Sequence, residues 1–324
     1  MLALVAALAP ARADVATFTV LLANVGNSNV SCQPYAFKLC YQQVEDRIAA
    51  NIQAHGPDIV ALIEVLPVER CATAYAGLPE PDPQKVCAQT HEVEHQARRL
   101  VGPGYAIACD ARFGWDCVAA KDATVLLDEA APGTVEPNGL ATAEAIEGCD
   151  PGFTVNVAIA NVTGVGAFRV VLAHPDSGFT SGEAGTACRV AQLEQAFVLA
   201  EGPTLLVGDM NMDPYRASGS DVALWDANVG EGARFRYHSG IAENAADPFP
   251  TYFMGESSNL LPTGALLPTV EDPSGVFARQ TLDHVVSDSF FGTCATLGEA
   301  EGTTRLDGGP GGGMDHRALL CALA

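Results

Sequence analysis

The chain has 324 residues, 48% of them hydrophobic, which is enough to bury a large core and excludes general disorder. Acidic residues outnumber basic ones 39 to 17, a formal net charge of −22, and only three of the cations are lysines (Lys38, Lys85 and Lys121). Without a basic run, a non-specific nucleic-acid coat is excluded, and a charged content of only 17% excludes a coiled coil or an acidic solvating tail.

Leu2 to Ala9 is an apolar run followed by Ala11-Arg12-Ala13, the small-x-small form of a cleavage site. Residues 1–13 therefore read as a signal peptide and 14–324 as a single domain, with no fixed-period repeat and no long linker. Ten cysteines lack the paired C-x-x-C knuckles of a zinc site, so disulfides in an extracellular or periplasmic space are expected. Loop length and chain-end position suggest Cys32–Cys40 and Cys294–Cys321. No stretch reaches 18 uninterrupted apolar residues, so no stable membrane insertion is expected.

The first strand is expected over residues 17–23, ending at Asn24. Val44, Ile48 and Ile52 recur at helical spacing between Tyr41 and His55, and Gly56-Pro57 stops that helix. Ile59–Ile63 is a short apolar strand ending at Glu64. Residues 66–90 read as loop, Glu92–Leu100 as a helix, and residues 128–151 as an irregular excursion. Phe168–Ala173 is a strand ending at His174, and Cys188–Ala200 is a helix. Thr204–Val207 is a strand running into Gly208-Asp209-Met210-Asn211. Residues 238–275 form a polar, Pro- and Gly-containing stretch around the apolar Leu260–Leu267. Leu282–Val286 carries Asp283-His284, and Asp315-His316-Arg317 leads into a last strand, Ala318–Leu323.

Chemistry gathers where these strands start and stop. Asn24, Glu64, His174, Asp209, Asn211, Asp283, Asp315 and His316 all lie at such junctions, where they do nothing for strand propagation. Residues at one end of neighbouring strands converge in space, where ligands commonly bind. The set is rich in oxygen donors, with two histidines and no cysteine. It suits Mg²⁺, with Mn²⁺ or Ca²⁺ as alternatives, and it suits phosphoryl chemistry. Taken singly, each residue is better explained by a cap or a turn, which does not account for the whole set.

The ordered series Asn24, Glu64, His174, GDMN at 208–211, LDHVV at 282–286 and MDHR at 314–317 resembles the endonuclease/exonuclease/phosphatase superfamily of deoxyribonuclease-like phosphodiesterases. The resemblance spans residues 17–323. It implies an α/β four-layer sandwich, two packed mixed β-sheets flanked by helices. It further implies Glu64, Asn24 and Asp315 in the metal shell, and Asp209 orienting or deprotonating the attacking water. Asn211 would be a phosphate or water ligand. His316, oriented by Asp283, would stand beside the scissile phosphate, and His174 would donate to a phosphate oxygen or the leaving group. Arg317 is the best placed arginine for substrate phosphate. The pattern departs from the inositol-phosphatase branch, having Gln280-Thr281-Leu282-Asp283 where that branch has Trp-Cys-Asp-Arg. No residue clearly matches the carboxylate that pairs with the second histidine in pancreatic-type nucleases; Asp176 reads more readily as a turn residue.

His91-Glu92-Val93-Glu94-His95 matches H-E-x-x-H, a zinc-peptidase motif, but no third ligand follows, and a solvated helix face explains it better. The expectation is a secreted, Mg²⁺-dependent phosphodiesterase acting on a phosphate ester, nucleic acid first. A sphingomyelinase-like lipid phosphodiesterase or a phosphomonoesterase are the alternatives, and a non-catalytic binding module is a remote one. No protein partner is inferred.

Overall fold

The computed structural model describes residues 16–26, 30–71, 85–87, 94–122, 125–127, 134–178, 184–215, 218–237, 252–253, 279–298, 302–308 and 314–324. The expected signal peptide, His91 and Leu260–Leu267 lie outside the described residues.

The first half of the chain forms β1 (Phe18–Asn24), α1 (Gln42–His55), β2 (Ile59–Ile63), α2 (Gln96–Val101), β3 (Tyr105–Asp110), β4 (Cys117–Lys121), β5 (Val125–Leu127) and β6 (Val135–Thr142). Next come β7 (Thr154–Val162), β8 (Gly166–His174), α3 (Gly185–Leu199), β9 (Thr204–Asp209) and α4 (Ser220–Asn228). The short strands β10 (Arg236–Tyr237), β11 (Tyr252–Phe253) and β12 (Arg279–Gln280) follow, then β13 (Asp283–Ser287), β14 (Gly292–Thr296) and β15 (Leu319–Leu323).

Twelve strands join in one mixed sheet in the order β10-β13-β9-β8-β7-β6-β3-β4-β2-β1-β15-β14, with β5 paired to β7 at the side. The two packed sheets that were expected are joined into one ladder, which runs unbroken through β6. That strand pairs with β3 over its first part and with β7 at Ala141 and Thr142. The expectation of an irregular excursion over 128–151 is corrected by the same strand, whose Pro and Gly content hid it. Its two half-ladders need only a short regular stretch each.

The sheet folds back so that its two halves share an apolar interior. Phe18, Val20, Leu22, Ile59 and Ile63 from one half meet Phe168, Val170, Leu205 and Val285 from the other. Phe18 anchors this contact, its ring 5.3 Å from Phe168 and 5.1 Å from Phe290. All five residues of β2 are buried, as a continuous apolar run demands when both faces are covered. On one outer face lie Val44, Ile48 and Ile52 of α1 with Ala97 and Leu100 of α2. On the other lie Leu193 and Phe197 of α3 with Val222 and Trp225 of α4. Helix α1 ends as expected, with Gly56 at φ +55° donating its N–H to Ile52 O.

Five disulfides form, among them the expected Cys32–Cys40 and Cys294–Cys321. The others are Cys71–Cys87, Cys109–Cys117 and Cys149–Cys188. No described helix is long and apolar enough to cross a membrane.

Gly208 sits opposite Ala173 in the parallel β8–β9 ladder at φ +156°, and a Cβ there would lie 1.8 Å from Ala173 O. Only a residue without a side chain lets β9 deliver the next residue, Asp209, to the sheet edge. Gly208→Ala should therefore cost about 2–3 kcal/mol in urea unfolding. An unchanged midpoint would mean that the two strands do not approach this closely.

Candidate active site

Strand direction brings the singled-out residues together. β1, β2, β8 and β9 end at Asn24, Ile63 (before Glu64), His174 and Asp209. β4, β13 and β15 run antiparallel to these neighbours, so the starts of those strands, with Asp116, Asp283 and Asp315-His316, meet the ends of the others.

At the centre, Asp209 and Asp283 are direct cross-strand partners, and both are buried. His316 lies between them, with Nδ1 2.7 Å from Asp283 Oδ2 and Nε2 3.6 Å from Asp209 Oδ2. Asp209 is held from two further sides. Asn24 Nδ2 donates to its Oδ2 at 3.0 Å, and Asn211 N donates to its Oδ1 at 2.9 Å. Asn211 adopts φ +50° and gives its Nδ2 to Pro175 O at 2.8 Å, tying the end of β9 to the residue after His174. The loop carrying Asp315 and His316 is pinned by a buried Arg305–Asp307 pair. Arg305 donates to Met314 O at 2.9 Å, and Asp307 accepts from Met314 N at 3.0 Å.

The second group surrounds Glu64, which adopts φ +63° directly after β2. His174 Nε2 lies 3.9 Å from Glu64 Oε1, and His174 Nδ1 faces Asp116 Oδ1 at 3.4 Å. Asp116 also accepts from Thr154 Oγ1 at 2.9 Å. The carboxylate partner of the second histidine is therefore Asp116. Asp176 instead accepts from Gly178 N at 2.7 Å, closing a turn. Sequence reasoning missed Asp116 because its strand, β4, was not anticipated. Its position at a strand start, within Trp115-Asp116-Cys117, is the signal that could have found it.

Lys38 was missed as well. It is buried, with Nζ 3.3 Å from Glu64 Oε1 and 4.3 Å from the centroid of the Trp115 ring. A buried lysine beside a carboxylate neutralises charge that the apolar surroundings cannot solvate. The loop that presents it is closed by Cys32–Cys40.

Burial alone would lower the pKa of His316, but Asp283 and then Asp209 outweigh it and push it up to about 10. His316 is therefore an imidazolium at neutral pH. Burial raises the Asp209 carboxyl, His316 opposes that, and the result is a value pushed up to about 6. Burial also works against charge on His174, yet Asp116, followed by Glu64 and Asp209, shifts it upward.

The donor set fits a hard divalent cation. Glu64 is the accessible carboxylate, its side chain 24% exposed against 2% for Asp209 and 1% for Asp283. A Cβ on Gly26 would lie 1.8 Å from Glu64 Oε2 and 3.1 Å from Asn24 Oδ1, so those two oxygens border one spot that glycine keeps open. Asp209, Asp283 and His316 also bring donor atoms within 4.8 Å of one another, with His316 Nδ1 hydrogen-bonded to Asp283 and its Nε2 3.6 Å from Asp209. The group His95, Cys109 and Cys117 holds no metal, because its two cysteines form a disulfide.

The remaining residues fall outside this centre. His95 caps α2, its Nδ1 accepting from Ala97 N at 3.2 Å, and the rest of the H-E-x-x-H helix face is not among the described residues apart from Glu94. Arg317 donates to Gly298 O at 3.3 Å, and Arg189 pairs with Asp221 at 2.8 Å. His284 packs inside β13 beside Trp225, 3.0 Å from Thr281 O.

No family model matches the chain, and no curated protein matches it. Solved structures do match. A humanised D. rerio TDP2 carrying 14 mutations aligns at a TM-score of 0.55 and 12% identity, over 95% of this chain and 99% of its own. An endonuclease/exonuclease/phosphatase family protein from Bacteroides thetaiotaomicron aligns at 0.56 and 15%, over 95% and 97%. A mannosyl-6-phosphatase of Bacteroides thetaiotaomicron aligns at 0.54 and 16%, over 95% and 99%. The chain has the fold of the endonuclease/exonuclease/phosphatase structures.

Because the folded pKa of His316 is raised to about 10, its stabilising contribution is full below about 6.5, the unfolded value, and is lost as pH rises through 10. In chelator, the stability gap between the wild type and His316→Gln should be wide at pH 7 and should shrink by pH 10.5, as read by thermal melts. A gap independent of pH would contradict a charged His316.

Proposed function

We propose that this chain is a secreted, divalent-metal-dependent phosphodiesterase, with nucleic acid as its first substrate class and residues 14–324 as one catalytic domain. The observation that carries the reading is the convergence of two imidazole–carboxylate pairs, His316–Asp283 and His174–Asp116, on Asp209 and Glu64 at one sheet edge. The packing of helices outside each half of the sheet supports the four-layer reading of the fold. Five disulfides support an oxidising compartment.

Glu64, Asn24 and Asp315 would hold the cation, Mg²⁺ first and Mn²⁺ or Ca²⁺ as alternatives. When bound, it supplies positive charge against the phosphate oxygens. The chain's own groups do the rest. Asp209, ionised at neutral pH yet raised toward it, is matched to take a proton from an attacking water. Asn24 and Asn211 N fix its orientation, and Asn211 Oδ1 would be a phosphate or water ligand. His316, kept charged by Asp283, donates to a phosphoryl oxygen where negative charge builds up. His174, backed by Asp116, stands on the Glu64 side to donate to a second oxygen or to the leaving group. Arg317, next to His316 in sequence, would be the arginine to meet substrate phosphate if it left Gly298 O.

Phosphomonoester hydrolysis is the second reading, favoured by the mannosyl-6-phosphatase among the structural neighbours. Plasmid DNA, RNA, sphingomyelin and simple phosphate monoesters, each assayed with Mg²⁺ and with chelator, separate the two. DNA or RNA should be cleaved fastest, and chelator should abolish cleavage. On the best substrate, Asp209→Ala and His316→Ala should each lower kcat by about 10²-fold or more. Full activity in both variants would sink this mechanism.

A further inference from the structure

Beside the catalytic edge lies a cavity of about 550 Å³, within the range of small-molecule sites, that the chemistry above does not use. Its lining includes Pro67, Arg70, Arg112, Phe113, Gly114 and Trp115. Phe113 and Trp115 stack in near-parallel fashion, with centroids 4.6 Å apart and planes 25° apart, and both rings stay half-buried. The Arg70 guanidinium lies over the Trp115 ring at 5.8 Å. The other arginines at this wall are committed to the scaffold. Arg98 donates to Gly102 O and Thr134 O, and Arg112 donates to Ala143 O. What remains is an aromatic stack beside Arg70, with Glu69, Glu94 and His95 completing the polar part of the lining.

The platform is built and close to the reaction. Asp110 accepts from the backbone N–H groups of Arg112, Phe113, Trp115 and Asp116, at 2.7–3.0 Å, and Cys109–Cys117 closes the base of the loop. Gly152 leaves room for the Trp115 edge, since a Cβ there would lie 2.8 Å from Cζ3. The Trp115 ring is linked through Lys38 Nζ, 4.3 Å away, to Glu64 Oε1, 3.3 Å further on. Asp116, which partners His174, is the next residue in the chain.

We propose that this cavity is a nucleobase subsite, in which a base joined to the reacting phosphate stacks on the Phe113–Trp115 platform beside Arg70. The inference rests on the nuclease reading and deepens it. A chain with 39 acidic and 17 basic side chains has little cation to track a phosphate backbone. Stacking supplies affinity without charge, tolerates any base, and gains from a neighbouring arginine.

Tryptophan fluorescence tests this without catalysis. Of the two tryptophans, Trp225 is 0% exposed in the core, so a surface ligand reads out on Trp115. In chelator, adenosine should quench the emission saturably, while ribose and mannose 6-phosphate should not. Phe113→Ala should weaken the adenosine response about tenfold, and Phe113→Tyr, which keeps the ring, should restore it. Phe113→Ala should also lose about tenfold in kcat/KM on an oligonucleotide relative to a base-free phosphate ester. Quenching by ribose or mannose 6-phosphate equal to that by adenosine, or a Phe113→Ala variant that binds adenosine normally, would overturn the subsite. Oligonucleotide cleavage without adenosine quenching would refute the subsite and leave the nuclease reading standing. Adenosine quenching without cleavage of any nucleic acid would do the reverse.

Discussion

Two carboxylates face each other across a buried ladder. Asp209 and Asp283 occupy directly opposed positions of β9 and β13, where like charges repel and little water is present to screen them. Their compatibility depends on His316, which arrives from the far end of the chain on the approach to β15. The charge balance of the centre is thus a tertiary property. It exists only when β15 has docked on β1 and the Arg305–Asp307 pair has set the preceding loop. The same imidazolium that makes the carboxylates tolerable is the one proposed to meet a phosphoryl oxygen, so in that proposal stability and chemistry draw on one proton.

The surrounding structure keeps this arrangement preorganised. Glu64 and Asn211 both adopt left-handed backbone conformations, which cost a non-glycine residue of order 1–3 kcal/mol and persist only where the surroundings over-determine them. In each case the turn aims a polar group inward immediately after a strand end. The two imidazole–carboxylate pairs come from opposite halves of the sheet. His174 lies on β8 and its partner Asp116 precedes β4, while Asp283 lies on β13 and its partner His316 precedes β15. Neither half holds a complete pair, so folding the sheet back on itself assembles both.

Much of the centre was legible in the sequence because caps and turns, which explain any one polar residue at a strand end, do not explain eight of them together. Asn24, Glu64, His174, Asp209, Asp283 and His316 stood out on that ground, and strand direction brings them to one edge. The strands β3, β4, β6 and β7 were not legible. Short Ala-rich segments such as Tyr105–Asp110 show weak periodicity, and a strand that splits its ladder between two partners needs no long regular pattern. Missing β4 meant missing Asp116, and with it the aromatic pair on the same turn. Lys38 escaped for a different reason. A lysine in a disulfide-closed loop reads as a solvated charge until its burial against Trp115 is seen.

The turn between β3 and β4 has a consequence for how such a protein diversifies. Asp110 and the Cys109–Cys117 bond fix the backbone of residues 111–116 without help from the side chains at its tip. Phe113, at the tip, is therefore free to change in a way that Asp116, at the foot of the same turn, is not. Exchange of Phe113 for another group would alter the cavity wall while the partner of His174 stayed in place. The hairpin tip is thus mechanically separate from the carboxylate it carries at its foot, so the cavity wall and the His174 pair can change independently.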